Sequence, residues 1–372
     1  MRILHTVEFY HPAIGGAERV VQRISEGLVA RGHEVVVATS HDPRRDNTVL
    51  GGVQIASFKV TGNHVRSMRG EVAGYQAWIG RERFDVVMNY AAQAWPTDAA
   101  LPVLRRIGGA KVLATCGFSG MYGVRRLVYA SYFRMLAKRI REYDALVYHT
   151  ATGADAAFGH RYGGGEQVVI PNGVDAREFG TADSGFRDRH GIQSRYMLLH
   201  VGNHYRIKGH RDLMLIPNLV RGLDVTLVVI GDDAGGARSC WAACSRAARR
   251  DSGVSLLSGV PRQEVVAAFS EADLLLLTSG FEVAPLVLVE AMAAGVPFVS
   301  YDVGNARELA GGLVVAGRKA MGGAVRVLLE DQDQRRALSR AGRAQARGLE
   351  WETIIDRYEA LYAGIVDRKR SA

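Results

Sequence analysis

The chain has 372 residues, of which 48% are hydrophobic and 23% charged, which is typical of globular proteins and long enough for two domains. No apolar run reaches the ~18 residues of a membrane span, and the amino terminus lacks the pattern of a signal peptide, so we expect a cytoplasmic protein. The net charge of +9 is concentrated in residues 1–165, where 21 Lys and Arg exceed 13 Asp and Glu by 8. This asymmetry indicates that one domain faces an anionic partner.

Short apolar runs alternate with helix-length segments, the pattern of parallel sheets covered by helices on both faces. The expected strands are RILHTV, EVVVATS, QIASFKV, DVVMNY, KVLATC and ALVYHT in the first half, and YMLLHVG, VTLVVIG, VSLLSGV, ADLLLLTS and PFVSYDV in the second. They are rich in Val and Leu without strict alternation, as strands buried on both sides are. We predict an α/β chain of two doubly wound, Rossmann-like domains, with a Gly- and Pro-rich boundary near residue 170.

The first candidate motif is HPAIGGAERV, residues 11–20, between the first strand and a helix. Gly15 and Gly16 allow close approach of a ligand to the backbone, and the start of the following helix favours anions. An ordinary glycine turn would give the same letters. The segment has neither the spacing of a dinucleotide-binding fingerprint nor that of a P-loop, which argues against a dehydrogenase and a P-loop enzyme.

The first half also carries two basic segments. Residues 124–144 combine six Lys and Arg with apolar and aromatic residues, namely Arg125, Arg126, Arg134, Lys138, Arg139 and Arg141 with Leu127, Val128, Tyr132, Phe133, Leu136 and Ile140. Arg66 and Arg69 lie in the second segment, residues 62–72. Such a helix binds an anionic membrane surface, or else packs on the sheet with a solvated basic face. Since no motif for reading nucleic acid is present, we expect no nucleic-acid partner.

In the second half, VGNHYRIKGH follows the first strand, so Lys208 and Arg206 are candidates to bind a diphosphate, unless they are ordinary surface cations. GDD at residues 231–233 is better explained as a turn than as a metal-binding pair. Cys240 and Cys244 lie four residues apart, but the spacing offers no His or further Cys to complete a zinc site. We therefore expect no metal ion, no other cofactor and reduced cysteines.

The most specific motif is GFEVAPLVLVEAMAAGVP, residues 280–297. Pro285 favours a helix start and Gly295 a helix end, which places Glu290 in the second turn of an otherwise apolar helix. A carboxylate there is costly to bury without partners. The two hydroxyls of a ribose would satisfy it, and so would an internal arginine. The amide groups at the helix start favour a phosphate.

These residues resemble the family 4 retaining glycosyltransferases of GT-B fold. The resemblance rests on GGAE after the first strand, IPNGVD at residues 170–175, KG at 208–209, Glu282 and Glu290 in Glu-x7-Glu, and the segment EAMAAGVPFVSYDVGNARE. It covers nearly the whole chain and is most specific in the second half. It implies a GT-B architecture whose two domains, residues 1–172 and 173–350, face an interdomain cleft, with the closing helix 351–368 crossing back onto the first domain.

The resemblance also implies roles for individual residues. Glu290 would bind the donor ribose, Glu282 would face the transferred sugar, and Lys208 would neutralise the departing diphosphate. The backbone at Leu286 and Val287 would bind the diphosphate with Lys208, as would Gly15 and Gly16 from the other domain. The backbone near Val260 would meet the base.

The sequence departs from the family pattern at three positions. Asn203 stands where an arginine is usual, so Arg206 is the candidate replacement for its charge. Cys116 stands where many members have a histidine near the transferred sugar, and Val283 replaces a glycine.

The activity expected from the resemblance is metal-independent, retaining transfer of a hexose from a UDP- or GDP-sugar. The acceptor would be a glycan or lipid-linked molecule of cell-surface polysaccharide or glycoconjugate synthesis, met at the inner membrane face. A nucleotide-sugar epimerase and a non-catalytic binding subunit are the alternatives.

Overall fold

The computed structural model describes residues 1–13, 15–121, 125–180, 185–233, 235–251 and 253–371. Ile14, within the glycine motif, and Val124, at the start of the basic segment, lie outside the described residues. The chain divides into two compact units. Unit 1 comprises Met1–Asn172 together with Trp351–Ala372, and unit 2 comprises Gly173–Glu350.

Unit 1 is built on a sheet of eight strands in the order β10-β9-β8-β7-β1-β2-β4-β3. The strands are β1 (Arg2–Thr6), β2 (Glu34–Ser40), β3 (Val49–Leu50), β4 (Val53–Phe58), β7 (Val86–Tyr90), β8 (Ala110–Ala114), β9 (Ala145–Tyr148) and β10 (Glu166–Val169). All neighbours pair in parallel except β3, which is antiparallel to β4. A separate antiparallel pair is formed by β5 (Val60–Thr61) and β6 (Arg69–Gly70).

The helices of unit 1 are α1 (Gly16–Ala30), α2 (Val72–Arg81), α3 (Trp95–Ala100), α4 (Arg125–Arg139), α5 (Ala154–Tyr162) and α15 (Trp351–Ser371). Short 3-10 helices span Leu101–Arg106 and Ile140–Glu142. The helix α15 packs against α1 and the sheet through an apolar stripe that includes Ile355, Tyr358 and Tyr362. The Tyr362 hydroxyl lies 3.1 Å from Nε2 of His5 in β1, so the end of the chain is part of the core of unit 1.

Unit 2 contains a parallel sheet of six strands in the order β13-β12-β11-β14-β15-β16. These are β11 (Tyr196–Val201), β12 (Val225–Ile230), β13 (Val254–Leu257), β14 (Leu274–Leu277), β15 (Phe298–Tyr301) and β16 (Gly312–Val315). The central strand β14 is four buried leucines, as expected for a strand covered on both faces.

Nine helices among the described residues cover the second sheet. They are α6 (Ala176–Gly180), α7 (Phe186–Arg189), α8 (His210–Leu213), α9 (Ile216–Leu219), α10 (Trp241–Ala248), α11 (Arg262–Glu271), α12 (Leu286–Ala294), α13 (Arg318–Glu330) and α14 (Gln332–Ala346). Further 3-10 helices span Arg206–Lys208, Gly236–Arg238, Ala306–Glu308 and Arg347–Leu349. Across the described parts of both units, no helix combines the length and apolar character needed to cross a bilayer.

The order of the strands locates the candidate site in unit 2. From β11 the chain moves outward through β12 and β13, then returns to the other side of β11 and continues through β14, β15 and β16. The direction of winding therefore changes between β11 and β14. In doubly wound sheets, ligands bind at the carboxyl ends of the strands that flank such a switch point.

Candidate functional site

Lys208 lies in the loop that follows β11, at the switch point of unit 2. Two contacts with the loop after β14 hold its backbone, since Gly280 N donates to Ile207 O (2.7 Å) and Thr278 Oγ1 donates to Lys208 O (3.0 Å). Gly209 has a φ of +73°, and a Cβ at this position would lie 1.9 Å from the Thr278 carbonyl oxygen. The glycine that follows Lys208 is therefore required by the local structure, because only glycine permits this close approach of the two loops.

The two predicted catalytic side chains lie in direct contact. Lys208 Nζ is 2.7 Å from Glu282 Oε1, and 29% of the lysine side chain and 14% of the glutamate side chain are exposed. Glu282 belongs to the loop between β14 and α12, so this ion pair joins the carboxyl ends of two adjacent strands. The partial burial places a cation and a carboxylate in a setting where their charges are less screened than at an open surface.

The start of α12 lies a few residues beyond Glu282. Pro285 occupies the N-cap position and offers no side chain to cap the helix, so the amides at Leu286 and Val287 receive no cap from it. The helix ends at Gly295, whose φ is +76°. Uncapped amides and the helix dipole favour a negative group at this helix start, close to the loop that carries the Lys208–Glu282 pair.

Glu290 is buried in the second turn of α12 and is paired with an arginine. Arg262 Nη2 lies 2.9 Å from Glu290 Oε1, and the same guanidinium binds both carboxylate oxygens of Glu178 at 2.8 Å. Burial alone would lower the pKa of Arg262, but its hydrogen bond to Glu178 and the nearby charge of Glu290 raise the pKa above its usual value. The internal-arginine alternative for Glu290 therefore describes this structure. Arg262 was not identified from the sequence.

Asn203 and Arg206 both contact neighbouring loops of unit 2, which bears on whether Arg206 replaces the charge of the arginine usual at position 203. Asn203 Oδ1 accepts a hydrogen bond from Asp232 N (3.1 Å), so the Asn203 side chain supports the loop after β12. Arg206 is exposed, and its Nε lies 3.5 Å from the Ser239 carbonyl oxygen. Asp232 in turn accepts from Gly259 N (2.6 Å). These bonds fit the interpretation of GDD as a turn.

Val260 and Val283, two further candidate residues of the donor site, both make contacts within unit 2. Val260 lies between β13 and α11, half-buried against the core of unit 2. The Val283 carbonyl accepts from Asn305 N (3.0 Å), and a Cβ on Gly304 would lie 2.3 Å from that carbonyl oxygen. The loop that contains Val283 is therefore held by a hydrogen bond and close packing with the turn after β15.

In unit 1, Gly15 and Gly16 lie at the start of α1, after β1. Gly15 has an extended backbone, but a Cβ on it would lie 2.2 Å from Glu18 Oε2. Burial raises the pKa of Glu18, and burial also raises the pKa of Glu8, with the charges of Glu18 and Asp98 adding to the effect against that of Arg66. Gly15 thus has the Glu18 carboxylate as a neighbour, and the contact of Gly15 and Gly16 with the donor phosphates remains a prediction.

Cys116 occupies a strained turn at the carboxyl edge of the unit 1 sheet. Its φ is +53°, and Ala91 and Gln93, which follow the neighbouring strand β7, have φ values of +66° and +67°. Asp155 stabilises the turn at Cys116, because its carboxylate accepts hydrogen bonds from Gly117 N at 2.9 Å and from the Thr115 hydroxyl. Non-glycine residues in this conformation are costly and cluster at functional sites. The sequence pattern contained no signal for Ala91 or Gln93.

Two histidines lie beside Cys240, although the sequence spacing offered none to complete a zinc site with Cys240 and Cys244. His204 Nδ1 and His210 Nδ1 lie 3.8 Å and 3.5 Å from Cys240 Sγ. Burial lowers the pKa of His204, and burial together with the charges of His200 and His204 lowers the pKa of His210 to about 3, so both imidazoles are neutral near pH 7. Both histidines stand in VGNHYRIKGH, and the missing information was that Cys240 lies next to that loop in space.

The basic segment of unit 1 forms α4 and combines the two interpretations left open by the sequence. Tyr132, Leu136 and Ile140 are buried in the core of the unit. In contrast, Leu127 and Val128 in the first turns of the helix are 82% and 62% exposed. The helix therefore packs on the sheet through its later turns, while its beginning presents an apolar surface next to basic residues.

Two family models together match most of the chain. Residues 14–178 match the family model "Glycosyltransferase Family 4", and residues 185–345 match "Glycosyl transferases group 1". The chain belongs to this family of glycosyltransferases and has the GT-B fold, so the expected family and fold class are confirmed.

The matches to two relatives span almost the full chain. The D-inositol 3-phosphate glycosyltransferase of Arthrobacter sp. (strain FB24) is 25% identical, and the match covers 99% of this chain and 96% of that protein. The phosphatidyl-myo-inositol mannosyltransferase of Propionibacterium freudenreichii subsp. shermanii is 27% identical over 94% of this chain and 91% of that protein. The structure of Anabaena Alr3699/HepE in complex with UDP-glucose superposes with a TM-score of 0.78 at 17% identity and covers 100% of both chains.

Proposed function

We propose that this glycosyltransferase moves a hexose, with retention of configuration, from a nucleoside diphosphate sugar to a phosphate-bearing acceptor at a membrane surface. The observation that carries the donor assignment is the Lys208–Glu282 pair beside the uncapped start of α12. When the bond between sugar and diphosphate breaks, negative charge develops on the diphosphate. A fixed lysine and helix amides already aimed at that charge lower the barrier, and each such group contributes about 3–4 kcal/mol.

In this mechanism Glu282 and Lys208 separate when the donor binds. The diphosphate takes the place of Glu282 as the partner of Lys208, and the released carboxylate accepts hydrogen bonds from hydroxyls of the transferred sugar. Glu290 binds the ribose. Its ion pair with Arg262 is compatible with this role, since a carboxylate has about four lone-pair positions. No divalent cation is needed at the diphosphate in this scheme.

A phosphate-bearing polyol is the acceptor class that the observations favour. Two relatives act, by their names, on inositol 3-phosphate and on phosphatidyl-myo-inositol. The charge excess of residues 1–165 suits a phosphate. The carboxylates of Glu8, Glu18 and Asp98 in unit 1 suit the hydroxyl groups of a polyol, since carboxylates accept several hydrogen bonds.

The exposed start of α4 supports a membrane-bound acceptor and a peripheral location at the inner membrane face, in the synthesis of cell-surface polysaccharides or glycoconjugates. Leu127 and Val128 are available for insertion between lipid headgroups, and Arg126, Arg134 and Lys138 are exposed on the same helix. Apolar insertion combined with basic side chains is the usual basis of binding to anionic bilayers.

The donor half of the proposal is tested by a thermal-shift screen with UDP- and GDP-sugars, followed by transfer assays with inositol phosphates. We expect one nucleotide class to stabilise the wild type and not the Lys208→Ala variant, and transfer to be unchanged by omission of Mg²⁺. Lys319→Ala, an exposed lysine of α13, is the control. A donor that is converted with no acceptor present would instead identify an epimerase, and nucleotide binding without any turnover would identify a binding subunit.

The membrane half is tested by flotation with anionic and neutral vesicles at low salt. Since inserting a Val or Leu side chain contributes about 1.5–3 kcal/mol, the double change Leu127→Ser and Val128→Ser should reduce binding to anionic vesicles at least about tenfold. Val327→Ser is the control, because Val327 is 50% exposed on α13 of the other unit. Equal flotation of the wild type and the double variant would refute the role of α4.

A further inference from the structure

A cluster of two histidines and one cysteine lies in unit 2, outside the proposed donor residues. One ligand atom from each of His204, His210 and Cys240 can be chosen so that all three atoms lie within 4.8 Å of one another. The two Nδ1 atoms are 3.8 Å and 3.5 Å from Cys240 Sγ. In a tetrahedral zinc site with Zn–S near 2.3 Å and Zn–N near 2.0–2.1 Å, a sulfur and a nitrogen ligand are roughly 3.6 Å apart. The two distances between sulfur and nitrogen thus correspond to those of ligands around one zinc ion.

Within the protein, the two imidazole rings have weak or missing polar partners. Both histidines are buried, and Nε2 of each has no hydrogen-bond partner among the residues that the structure describes. The contacts at Nδ1 are with a sulfur atom, which is a weak hydrogen-bonding group, and the His210 ring also interacts with the backbone of Gly202 and Tyr205. The single thiol proton can serve one of the two rings at a time. Buried polar groups with weak partners commonly indicate a bound ion or water, and an ion at the two Nδ1 atoms would replace their contacts with sulfur.

The backbone holds the three ligands in place. Cys240 N donates to His204 O (3.0 Å), and His204 N donates to Asp232 O (2.8 Å). An isolated antiparallel bridge joins Tyr205 to Ser239. The ring of Trp241 contacts the ring of His204 edge-on, with 4.8 Å between their centroids. Because the loop after β11 and the start of α10 are joined in this way, the three residues are neighbours before an ion binds. The rings of His204 and His210 are stacked with 4.3 Å between their centroids, so they must turn to direct both nitrogens at one ion.

We propose that His204, His210 and Cys240 bind one Zn²⁺ ion through two imidazole nitrogens and a thiolate, with water as the fourth ligand. Neutral imidazole and thiolate are the ligands that zinc prefers in proteins. Cys244, one turn further along α10, is not part of the group of three, but its side chain hydrogen-bonds to Cys240, so it would support the ligand without binding the ion. Cys240 is only half-buried, so the ion has a route of entry.

Zinc binding is tested on untagged full-length protein that has been stripped with a chelator and dialysed against Zn²⁺. We expect about one equivalent to bind to the wild type and a rise in its melting temperature. With Co²⁺ as the probe, we expect an absorption band for charge transfer from thiolate to cobalt.

Cys240→Ser should abolish the cobalt band and weaken zinc binding well beyond the roughly 10–100-fold that loss of a supporting contact costs. Cys244→Ala removes only a hydrogen bond to Cys240, so it should keep the band and lower the affinity by no more than that factor. Zinc stoichiometry near zero in the wild type, a cobalt band that survives in Cys240→Ser, or binding of copper alone would each overturn the proposal. The wild-type measurement decides the matter even if a variant does not fold.

A bound zinc ion would also fix the loop that carries Lys208, since two of its ligands flank that residue in the chain. This consequence rests on the proposed donor site, whereas zinc binding itself does not. Removal of zinc should weaken binding of the donor nucleotide, while Lys208→Ala should leave zinc binding unchanged. Zinc binding without any effect on nucleotide affinity would refute this link alone. Loss of nucleotide binding in all forms would count against the donor site instead.

Discussion

Lys208 Nζ and Glu282 Oε1 lie 2.7 Å apart, across the point where the sheet of unit 2 changes its direction of winding. One side chain follows β11 and the other follows β14, so two strands that are far apart in the sequence present opposite charges to each other. Each charge neutralises the other within unit 2. In the proposed mechanism, donor binding exchanges one partner of Lys208 for another.

Removing the charge of Glu282 should therefore separate binding from turnover. Glu282→Gln leaves Lys208 without its partner, so we expect nucleoside diphosphate affinity to be equal to or higher than that of the wild type. Transfer should fall about 10²–10³-fold, as is typical when one group that stabilises the transition state is lost. Calorimetry with the nucleotide and initial rates with the full donor measure the two effects. Parallel loss of both quantities would contradict the exchange of partners.

The ion pair of Arg262 and Glu290 leads to a prediction about stability. Arg262→Ala leaves the buried carboxylate of Glu290 and that of Glu178 without their shared guanidinium, which typically costs about 3–5 kcal/mol. Chemical denaturation measures this loss. Glu290→Gln keeps the size of the side chain and should cost less stability, while weakening donor binding. If Glu290→Gln left donor affinity unchanged, Glu290 would be a structural residue only.

The sequence carried enough information for the sheets and for the position of the donor motifs. Val- and Leu-rich runs predicted the central strands. Residues that follow parallel strands lie at one edge of the sheet, which is consistent with the observed contact of Lys208 and Glu282, although the sequence analysis did not predict that contact. The strands β10 and β16 were not predicted. Each has four residues at the edge of its sheet, and neither is fully buried, so the long apolar run of a central strand is absent.

Contacts between distant loops could not be derived from spacing. Arg262 precedes Glu290 by 28 residues, and His204 precedes Cys240 by 36, with no local pattern that joins either pair. Their proximity depends on the order of strands in the sheet and on the paths of the loops. The positive φ values of Ala91, Gln93 and Cys116 likewise follow from tertiary packing, since these residue types do not favour that conformation.

Gly209 allows a prediction with a closely matched control. Gly209→Ala places a Cβ against the Thr278 carbonyl in addition to the cost of a positive φ, so the loop must move and displace Lys208. Gly222 has a φ of +93°, and a Cβ on it would meet nothing within 4 Å, so Gly222→Ala carries the conformational cost of about 1–2 kcal/mol alone. We expect a loss of transfer rate in Gly209→Ala that Gly222→Ala does not share. Equal rates in the two variants would show that the contact with Thr278 does not position Lys208.

Asp98 in unit 1 gives a prediction about pH. Burial raises the pKa of its carboxyl to about 6, against an ordinary value of 3.8, although hydrogen bonds such as that from His64 N (2.9 Å) act in the opposite direction. Between these two values the folded protein holds a proton that the unfolded chain has released, so the contribution of Asp98 to the free energy of unfolding decreases as the pH rises from about 4 to 6. The shift corresponds to roughly 3 kcal/mol.

Asp98→Asn retains an oxygen for His64 N and cannot ionise. This variant should therefore lack the decrease in the free energy of unfolding that Asp98 causes, and it should be more stable than the wild type near pH 7. Urea unfolding at pH 4, 5, 6 and 7 measures the difference, and parallel curves for the two proteins would show that Asp98 ionises as readily in the folded state as in the unfolded one.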